Sequence, residues 1–465
     1  MGADRDNGTV RAMAPTYERM SLTGNIATTF VARVSVLGLA FVSSIMLARL
    51  LGPEGRGTLA LVCLLPDLAG MLGRLGFDSA NAVFAGIDPT RRRPLVWQSV
   101  AIAGLVGSAM AIAGAGYVLM GAPGFPTLIR GPLPLYLLPL LLIPVILVTE
   151  YWKAIVRGMN CILTLNLLEV GATAVGLVLL GVLVGWLGLG VWGVVWANAV
   201  VAAGSLIMLV SFLRRAGALG KPSLDRALAR RTAAFALPVY GGTVVAYLNY
   251  RVDEFFIAAW LPPVELGFYV MAVLIVERLW TLPGAVATVL LPHLTSSPQR
   301  DPALTGLIAR HTAIWTGAAA GVIFVLADPL IRLIYSPAFA DVVAPLRWLL
   351  PGVVALGIGK VVMTELLARK KARETSYASA IAAAINIAGN VALVPHMGIS
   401  GAALASTISY SLLSVILIRY YLREAGVSWT VLVPKRDDLA VYGRLWRRRT
   451  DVGSRAARAV VVTRP

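Results

Sequence analysis

Twelve apolar runs, each long enough to cross a bilayer, constrain this chain more than any other feature. They fall at about 25–50, 57–84, 95–120, 133–156, 163–187 and 190–213, then at 232–261, 266–292, 311–334, 341–367, 376–394 and 398–422. A membrane's hydrocarbon core is about 30 Å thick and needs about 20 apolar residues of helix to span it. Inside it every backbone N–H and C=O must find its partner within the protein, which favours helices for runs of this length. The expected fold is an all-α polytopic membrane protein with about twelve transmembrane helices. Composition agrees, since 58% of the 465 residues are hydrophobic and 14% are charged, about half the charged share of soluble proteins. A soluble enzyme is excluded. Pro292 and Pro395 are read as helix ends.

The formal charge of +18 would suggest nucleic acid on a soluble domain; on a membrane protein, Lys and Arg first set topology, because they are retained on the cytoplasmic side. Thirty of the 41 fall in one alternating set of segments, 1–24, 85–94, 151–162, 214–231, 293–310, 368–375 and 423–465. The opposite set holds Arg56, Arg130 and Arg332. This alternation requires an even number of passes. It predicts a multi-pass protein of the inner or plasma membrane with both termini in the cytoplasm. Residues 1–24 lack the apolar core and cleavage site of a signal peptide, so the first helix is expected to direct its own insertion.

The chain also repeats itself. Ala48, Leu51, Pro53 and Gly57 recur as Ala258, Leu261, Pro263 and Gly267, and Gly190, Gly193 and Ala197 recur as Gly398, Gly401 and Ala405, in both cases roughly 210 residues later. Transporters are commonly built from such repeats, with a substrate site where they meet. The expected organisation is an N-terminal segment 1–24, a six-helix lobe 25–213, a basic linker 214–231, a second six-helix lobe 232–422 and a basic tail 423–465, the pseudo-symmetric lobes flanking a central cavity.

Charges inside membrane helices are costly, at least about 2.5 kcal/mol each at mid-helix, and usually face a cavity or a partner. The first helix carries Arg33, with no acid one turn away, the best placed single contact for an anion. The second carries Asp67, Arg74 and Asp78 at spacings that put them on one face, with Pro66 beside Asp67. The seventh is the most polar, with Tyr240, Thr243, Tyr247, Arg251 and Glu254 in one stripe and Asn249, Tyr250 and Asp253 nearby. Glu277 and Arg278 lie mid-way along the eighth, and Lys360, Thr364 and Glu365 in the inner half of the tenth. Arg33, Arg74, Arg251, Arg278, Lys360 and Tyr247 are the candidate substrate contacts. Asp67, Asp253, Glu254 and Glu277 are candidate ion or proton sites. The plainer reading pairs Arg74 with Asp78 and Arg251 with Glu254 as neutralised structural pairs, and makes Arg49, Lys153 and Arg419 interfacial anchors.

Enzyme signatures are missing. His293, His311 and His396 lack metal-ligand spacing, no phosphate-binding Gly-Lys-Ser/Thr loop is present, and Cys63 and Cys161 read as packing residues. No catalytic residue, metal, cofactor or nucleic-acid partner is expected.

Three segments carry a resemblance to a known family: Ala48-Arg-Leu-Leu-Gly-Pro-Glu-Gly-Arg-Gly-Thr-Leu-Ala, then Arg251-Val-Asp-Glu-Phe-Phe followed by Pro262-Pro-Val-Glu-Leu-Gly-Phe-Tyr, and Gly398-Ile-Ser-Gly-Ala-Ala-Leu-Ala. Over about residues 20–425 the chain resembles the Wzx-type oligosaccharide-lipid flippases, in a superfamily shared with lipid II flippases and multidrug exporters of the MATE type. The resemblance implies two six-helix lobes around a cavity that opens alternately to either side, and a polyprenyl-diphosphate-linked glycan moved between leaflets. It also implies membrane lipids and polysaccharide biosynthesis proteins as partners. Arg33 and Arg251 are the positions it points to first for the diphosphate, Arg74 and Arg278 after them; arginine suits bidentate phosphate contact. The alternatives are a MATE-like ion-coupled drug exporter, against which the first helix offers Arg33 and no acid, and a membrane glycan polymerase or ligase, against which the external connectors are short. The Arg447–Arg449 run in the tail suits anionic lipid headgroups or a cytoplasmic enzyme; a solvated tail is the plainer alternative.

Overall fold

The computed structural model describes residues 22–124, 129, 131–281, 283–284, 290, 302–435 and 438. Among them the regular structure is helical throughout, with no strand. In chain order the helices are α1 (Leu22–Gly73), α2 (Phe77–Ile87), α3 (Arg92–Leu119), α4 (Leu133–Leu141), α5 (Ile143–Gly158), α6 (Ile162–Leu180, continued by a π-helical turn Gly181–Trp186), α7 (Gly190–Arg215), α8 (Arg226–Trp260), α9 (Pro263–Leu279), α10 (Pro302–Ile334), α11 (Val343–Ala368), α12 (Ala372–Met397) and α13 (Ile399–Ala425). Each predicted run falls on helix, the later part of the eighth, with Pro292, lying largely outside the described residues. Among the described residues nine helical stretches are long and apolar enough to cross a membrane. The first, Thr28–Gly73, has 46 residues. At 1.5 Å per residue that is about 70 Å, more than twice a bilayer core. It turns at Gly52, whose φ of 65° and ψ of −178° leave the helical region, so one continuous stretch supplies two passes. The nine do not include α8, whose Tyr, Thr, Asn and charged residues lower its hydropathy.

The chain divides into two compact units. One comprises Met1–Met271, Pro329–Val342 and Val394–Ile399, the other Ala272–Asp328, Val343–Leu393 and Ser400–Pro465.

In the first unit the second predicted pass is not one helix. It breaks at Arg74–Gly76, where Leu75 and Gly76 have φ of 47° and 74°, and resumes as α2. Asp67, Arg74 and Asp78 therefore do not form the continuous stripe that their spacing predicts. A break inside apolar surroundings must find partners for its freed carbonyls. Tyr151 of α5 donates its hydroxyl to Gly73 O at 2.7 Å, and Arg74 O accepts from the Phe77 N–H at 2.9 Å. Asn81 of α2 donates to Ser99 Oγ at 2.9 Å, and the Gln98 amide to Thr232 Oγ1 at 2.6 Å. Below these, Leu95, Val96, Trp152, Ile155, Leu165, Leu168, Leu209, Leu213 and Leu228 form one apolar core, with Cys161 packed on it. Cys63 packs on a second cluster around Leu59, Leu180 and Val184.

The predicted linker 214–231 is helical at both ends. α7 runs to Arg215, and α8 starts at Arg226 behind the Asp225 cap, whose carboxylate accepts the N–H groups of Ala227 and Leu228 at 2.8 and 3.1 Å. The loop between them is pinned to α3, where Arg93 donates to Lys221 O at 2.9 Å and Trp97 to Gly220 O at 3.1 Å. Pro395 lies inside the last turn of α12 and does not end it.

In the second unit the tail is not solvated at its base. After Gly426 the chain folds back, and Val431 fills the space over Gly306 of α10, where a Cβ would lie 2.7 Å from the valine Cγ2. Leu432 packs beside Leu290, Ala309, Val361 and Ala368. Arg310 then grips this strap, donating from Nη1 to Val431 O at 2.6 Å and from Nε and Nη2 to the Asp438 carboxylate at 2.7 and 3.1 Å. Those hydrogen bonds hold the Asp438 carboxyl below the usual carboxylate range. A depressed folded value means that the contribution is fully present above the unfolded value of about 3.9 and is lost as pH falls through the folded one. The strap should therefore stay docked from pH 8 down to about 4 and release below it. Asp438→Asn should release it at neutral pH, raising protease cleavage within 426–438 by at least about tenfold, as read by limited proteolysis.

Candidate functional site

In the first unit the geometry gathers five of the singled-out side chains between α1 and α8. α8 presents Tyr240, Tyr247, Arg251 and Glu254 at helical spacings of three, four or seven residues. The Tyr240 hydroxyl reaches across to Leu72 O of α1 at 2.7 Å and ties the two helices. Arg251 Nη1 donates to Glu254 Oε1 at 2.6 Å, with 27% and 12% of the two side chains exposed. Asp67, from the second half of α1, acts electrostatically on Arg251 and on Tyr247. The Asp67 side chain is at the surface of the unit, and the Arg251–Glu254 pair beside it is largely covered. One guanidinium thus stands among two carboxylates. With all three ionised the cluster carries a formal charge of −1; one proton on either carboxyl makes it neutral, and a second leaves the guanidinium uncompensated.

Asp253 goes elsewhere. It is buried and accepts a hydrogen bond from the Tyr269 hydroxyl of α9, which is also buried. It ties α8 to α9, and its charge also acts on Glu254, the next residue. Arg74, at the break between α1 and α2, pairs with Glu150 of α5 at 3.4 Å and not with Asp78. Glu150 in turn holds Lys153 at 2.8 Å, so Lys153 is more than an interfacial anchor. Arg33 is exposed on the first half of α1 and forms no ion pair among the described residues.

The second unit holds Glu277, Arg278 and Lys360. The Lys360 ammonium sits over the Trp280 ring, 4.3 Å from its centre, a cation–π contact, and feels the charge of Glu277. Arg278 is exposed. Glu365 is buried and committed to Arg369 at 2.6 Å and Thr305 at 3.1 Å. Among the described residues no group of His, Cys, Asp and Glu has the geometry to hold a metal.

Sequence reasoning missed two functional-looking residues. Glu150 sits alone in an apolar run, three residues before Lys153; its own charge at that depth was the available signal. Arg56, expected in an external connector, is buried, with 7% exposed, and donates to the Met271 sulfur at 3.1 Å. The repeat held the clue: the position matching Arg56 is Leu266, which is apolar and fully buried.

Comparison with known proteins places this arrangement. The profile of the family described as "Polysaccharide biosynthesis protein" matches residues 22–297. No curated protein matches the chain in sequence. Among solved structures, the chain is similar to the lipid II flippase MurJ in an inward closed conformation, at 16% identity over 89% of this chain and 88% of that one, with a TM-score of 0.69. It is similar to a multidrug resistance MATE family transporter of the MOP superfamily in an inward-facing conformation, at 14% identity over 83% and 93% of the two chains, TM-score 0.68. A MOP superfamily transporter from Pyrococcus furiosus matches at 13% identity over 86% and 92%, TM-score 0.52. At these identities the likeness is one of fold. The family match covers more than half of the chain, so the chain belongs to the polysaccharide biosynthesis protein family, on a multi-pass helical fold shared with MOP superfamily flippases and transporters.

Proposed function

We propose that this protein moves a polyprenyl-diphosphate-linked glycan from the cytoplasmic to the outer leaflet of the membrane by alternating access, with both termini cytoplasmic and without covalent chemistry. The match to the polysaccharide biosynthesis family over 22–297 carries this reading, supported by a fold shared with a lipid II flippase. Arg251 is the residue on which the diphosphate would rest. A guanidinium donates two parallel hydrogen bonds to phosphate, and Arg251 stands in a half-buried cluster where Glu254 and Asp67 hold it while they are ionised. Proton uptake by these carboxyls releases the guanidinium to an anionic ligand; proton loss returns it to them and expels the ligand. Arg33, exposed and without an ion pair among the described residues, is assigned to first contact with the headgroup, and Lys360 and Arg278 to cationic support in the second unit.

Depletion of the protein should make a lipid-linked glycan accumulate on the cytoplasmic face. If none accumulates, the reading falls. Glu254→Gln should leave the protein folded and abolish the dependence of transport on a proton gradient, measured in proteoliposomes with the lipid-linked glycan extracted from depleted cells.

One observation favours a second reading. Carboxylates outnumber cations in the α1–α8 cluster, which suits a cationic cargo exported as a MATE transporter would. Ion-dependent efflux of organic cations from vesicles, unaffected by Arg33→Ala or Arg251→Ala, would decide for that reading.

A further inference from the structure

Two matched glycines of the recurring segments lie against each other. Gly57, shortly after the Gly52 turn of α1, and Gly267, in the second turn of α9, are equivalent positions of the segments 48–57 and 258–267. A methyl group on Gly57 would overlap the carbonyl of Pro263. One on Gly267 would lie 2.7 Å from Gly57 N and 2.9 Å from Pro53 O. The obstacles on both sides are main chain, so the two corners meet backbone to backbone with no room for a side chain.

Around this pair, in the same unit, the end of α10 closes in. Arg49 donates to Ile334 O at 3.0 Å and to Leu333 O at 2.8 Å, a cation on the terminal carbonyls of a helix. Beyond them Phe339 stacks edge-on to Phe268 at 6.1 Å. Two features distinguish this junction from a permanent core. Arg49 is exposed, and main-chain surfaces can part without drawing interlocked side chains out of one another. Arg56 is buried here against a thioether, a weak acceptor. Burying a guanidinium costs hydration that a thioether does not return, so separation rehydrates Arg56 and offsets the packing that the corners give up. Such opposed terms make a two-state element. By the distribution of Lys and Arg, all three segments belong to the cation-poor external set.

We propose that the Gly57–Gly267 pair is the clasp that closes the external end of the transport path, with buried Arg56 as the load that lets it reopen. The assignment rests on the alternating-access reading for its meaning, though not for its measurement. The test uses the full chain with Cys63 and Cys161 replaced by Ala and thiols introduced by Glu54→Cys and Glu265→Cys, one in each corner. A short bifunctional maleimide should join them efficiently in this background. Adding Gly57→Ala or Gly267→Ala should reduce the joined fraction at equilibrium at least about fivefold, the effect of roughly 1 kcal/mol of overpacking. Arg56→Met should raise it instead, because the closed state then buries no charge. A control pair, Arg93→Cys with Lys221→Cys, should be joined equally in all variants and reports folding. Unchanged joining at the corners in folded glycine variants overturns the clasp. If those variants do not fold, Arg56→Met decides alone, and no increase overturns it. Joining that follows the prediction while no lipid-linked glycan moves in the parent protein would leave the clasp standing and remove the proposed cargo.

Discussion

Arg251→Met is expected to abolish glycan translocation, by at least about tenfold and up to about a hundredfold, because one charge-assisted hydrogen-bonding group is worth about 1.5–3 kcal/mol. Two effects are entangled in that variant. Removing the guanidinium takes away the proposed diphosphate contact, and it strands Glu254, whose side chain is only 12% exposed, without its partner at 2.6 Å. Breaking a buried pair by removing one member commonly costs about 3–5 kcal/mol, and partial exposure of this pair lowers that figure. The double variant Arg251→Met with Glu254→Gln separates the two, since an amide has no charge to strand. It should recover the thermal stability of the parent, measured on the detergent-solubilised protein, and remain inactive. Recovery of transport in the double variant would show that Arg251 serves the fold and not the cargo. Arg251→Lys should fall between, retaining charge but losing the planar fork.

Gly76→Val should have the largest effect on stability. Gly76 has φ of 74°, a conformation costly to any residue with a Cβ and most of all to a β-branched one. The Cβ would also overlap the main-chain carbonyl of Ala236 in α8, an obstacle that no rotamer change relieves. Strain of about 1–3 kcal/mol and overpacking of a similar size act together. A loss of about 3 kcal/mol or more is expected, seen as a collapse of the monodisperse peak in size-exclusion chromatography or a fall in melting temperature. Leu75→Ala, next to it with φ of 47°, introduces no such overlap and should be far milder. Equal behaviour of the two variants would show that the approach of the helix break to α8 is not what holds this part of the unit.

The break at Gly76 also marks where sequence reading stopped being sufficient. The apolar runs were legible because membrane insertion is a property of each segment's own length and hydropathy, so every predicted run falls on helix within the described residues. Interruptions inside a run were not. Leu75 and Gly76 look unremarkable between Arg74 and Phe77, and the turn is tied down by Tyr151, 75 residues further on, whose hydroxyl donates to Gly73 O. Pro395, by contrast, looked like punctuation and lies inside a helix.

The candidate residues divide along the same line. The Arg251–Glu254 pair was visible as an i, i+3 spacing, because a helix fixes which neighbours meet. Arg74 was assigned an equally reasonable intrahelical partner, Asp78, and took Glu150 of another helix instead. Asp253 was grouped with the coupling residues, and what the spacing did not show is that its carboxylate also accepts from Tyr269 of the next helix. The docked base of the tail had no local signal at all, since Arg310 and Asp438 are 128 residues apart.

By itself, then, the sequence determined that the chain crosses a membrane many times, that short segments of it recur about 210 residues apart, and which charges lie too deep to be ignored, because each of these follows from composition over a window or from comparison of the chain with itself. Only the tertiary structure decided which of those charges stand together, which are neutralised by partners from distant helices, and that two matched glycines of the recurring segments lie against each other. A charge in low dielectric takes whatever partner packing brings within a few ångströms, and that proximity is a property of the assembled helices, not of any one of them.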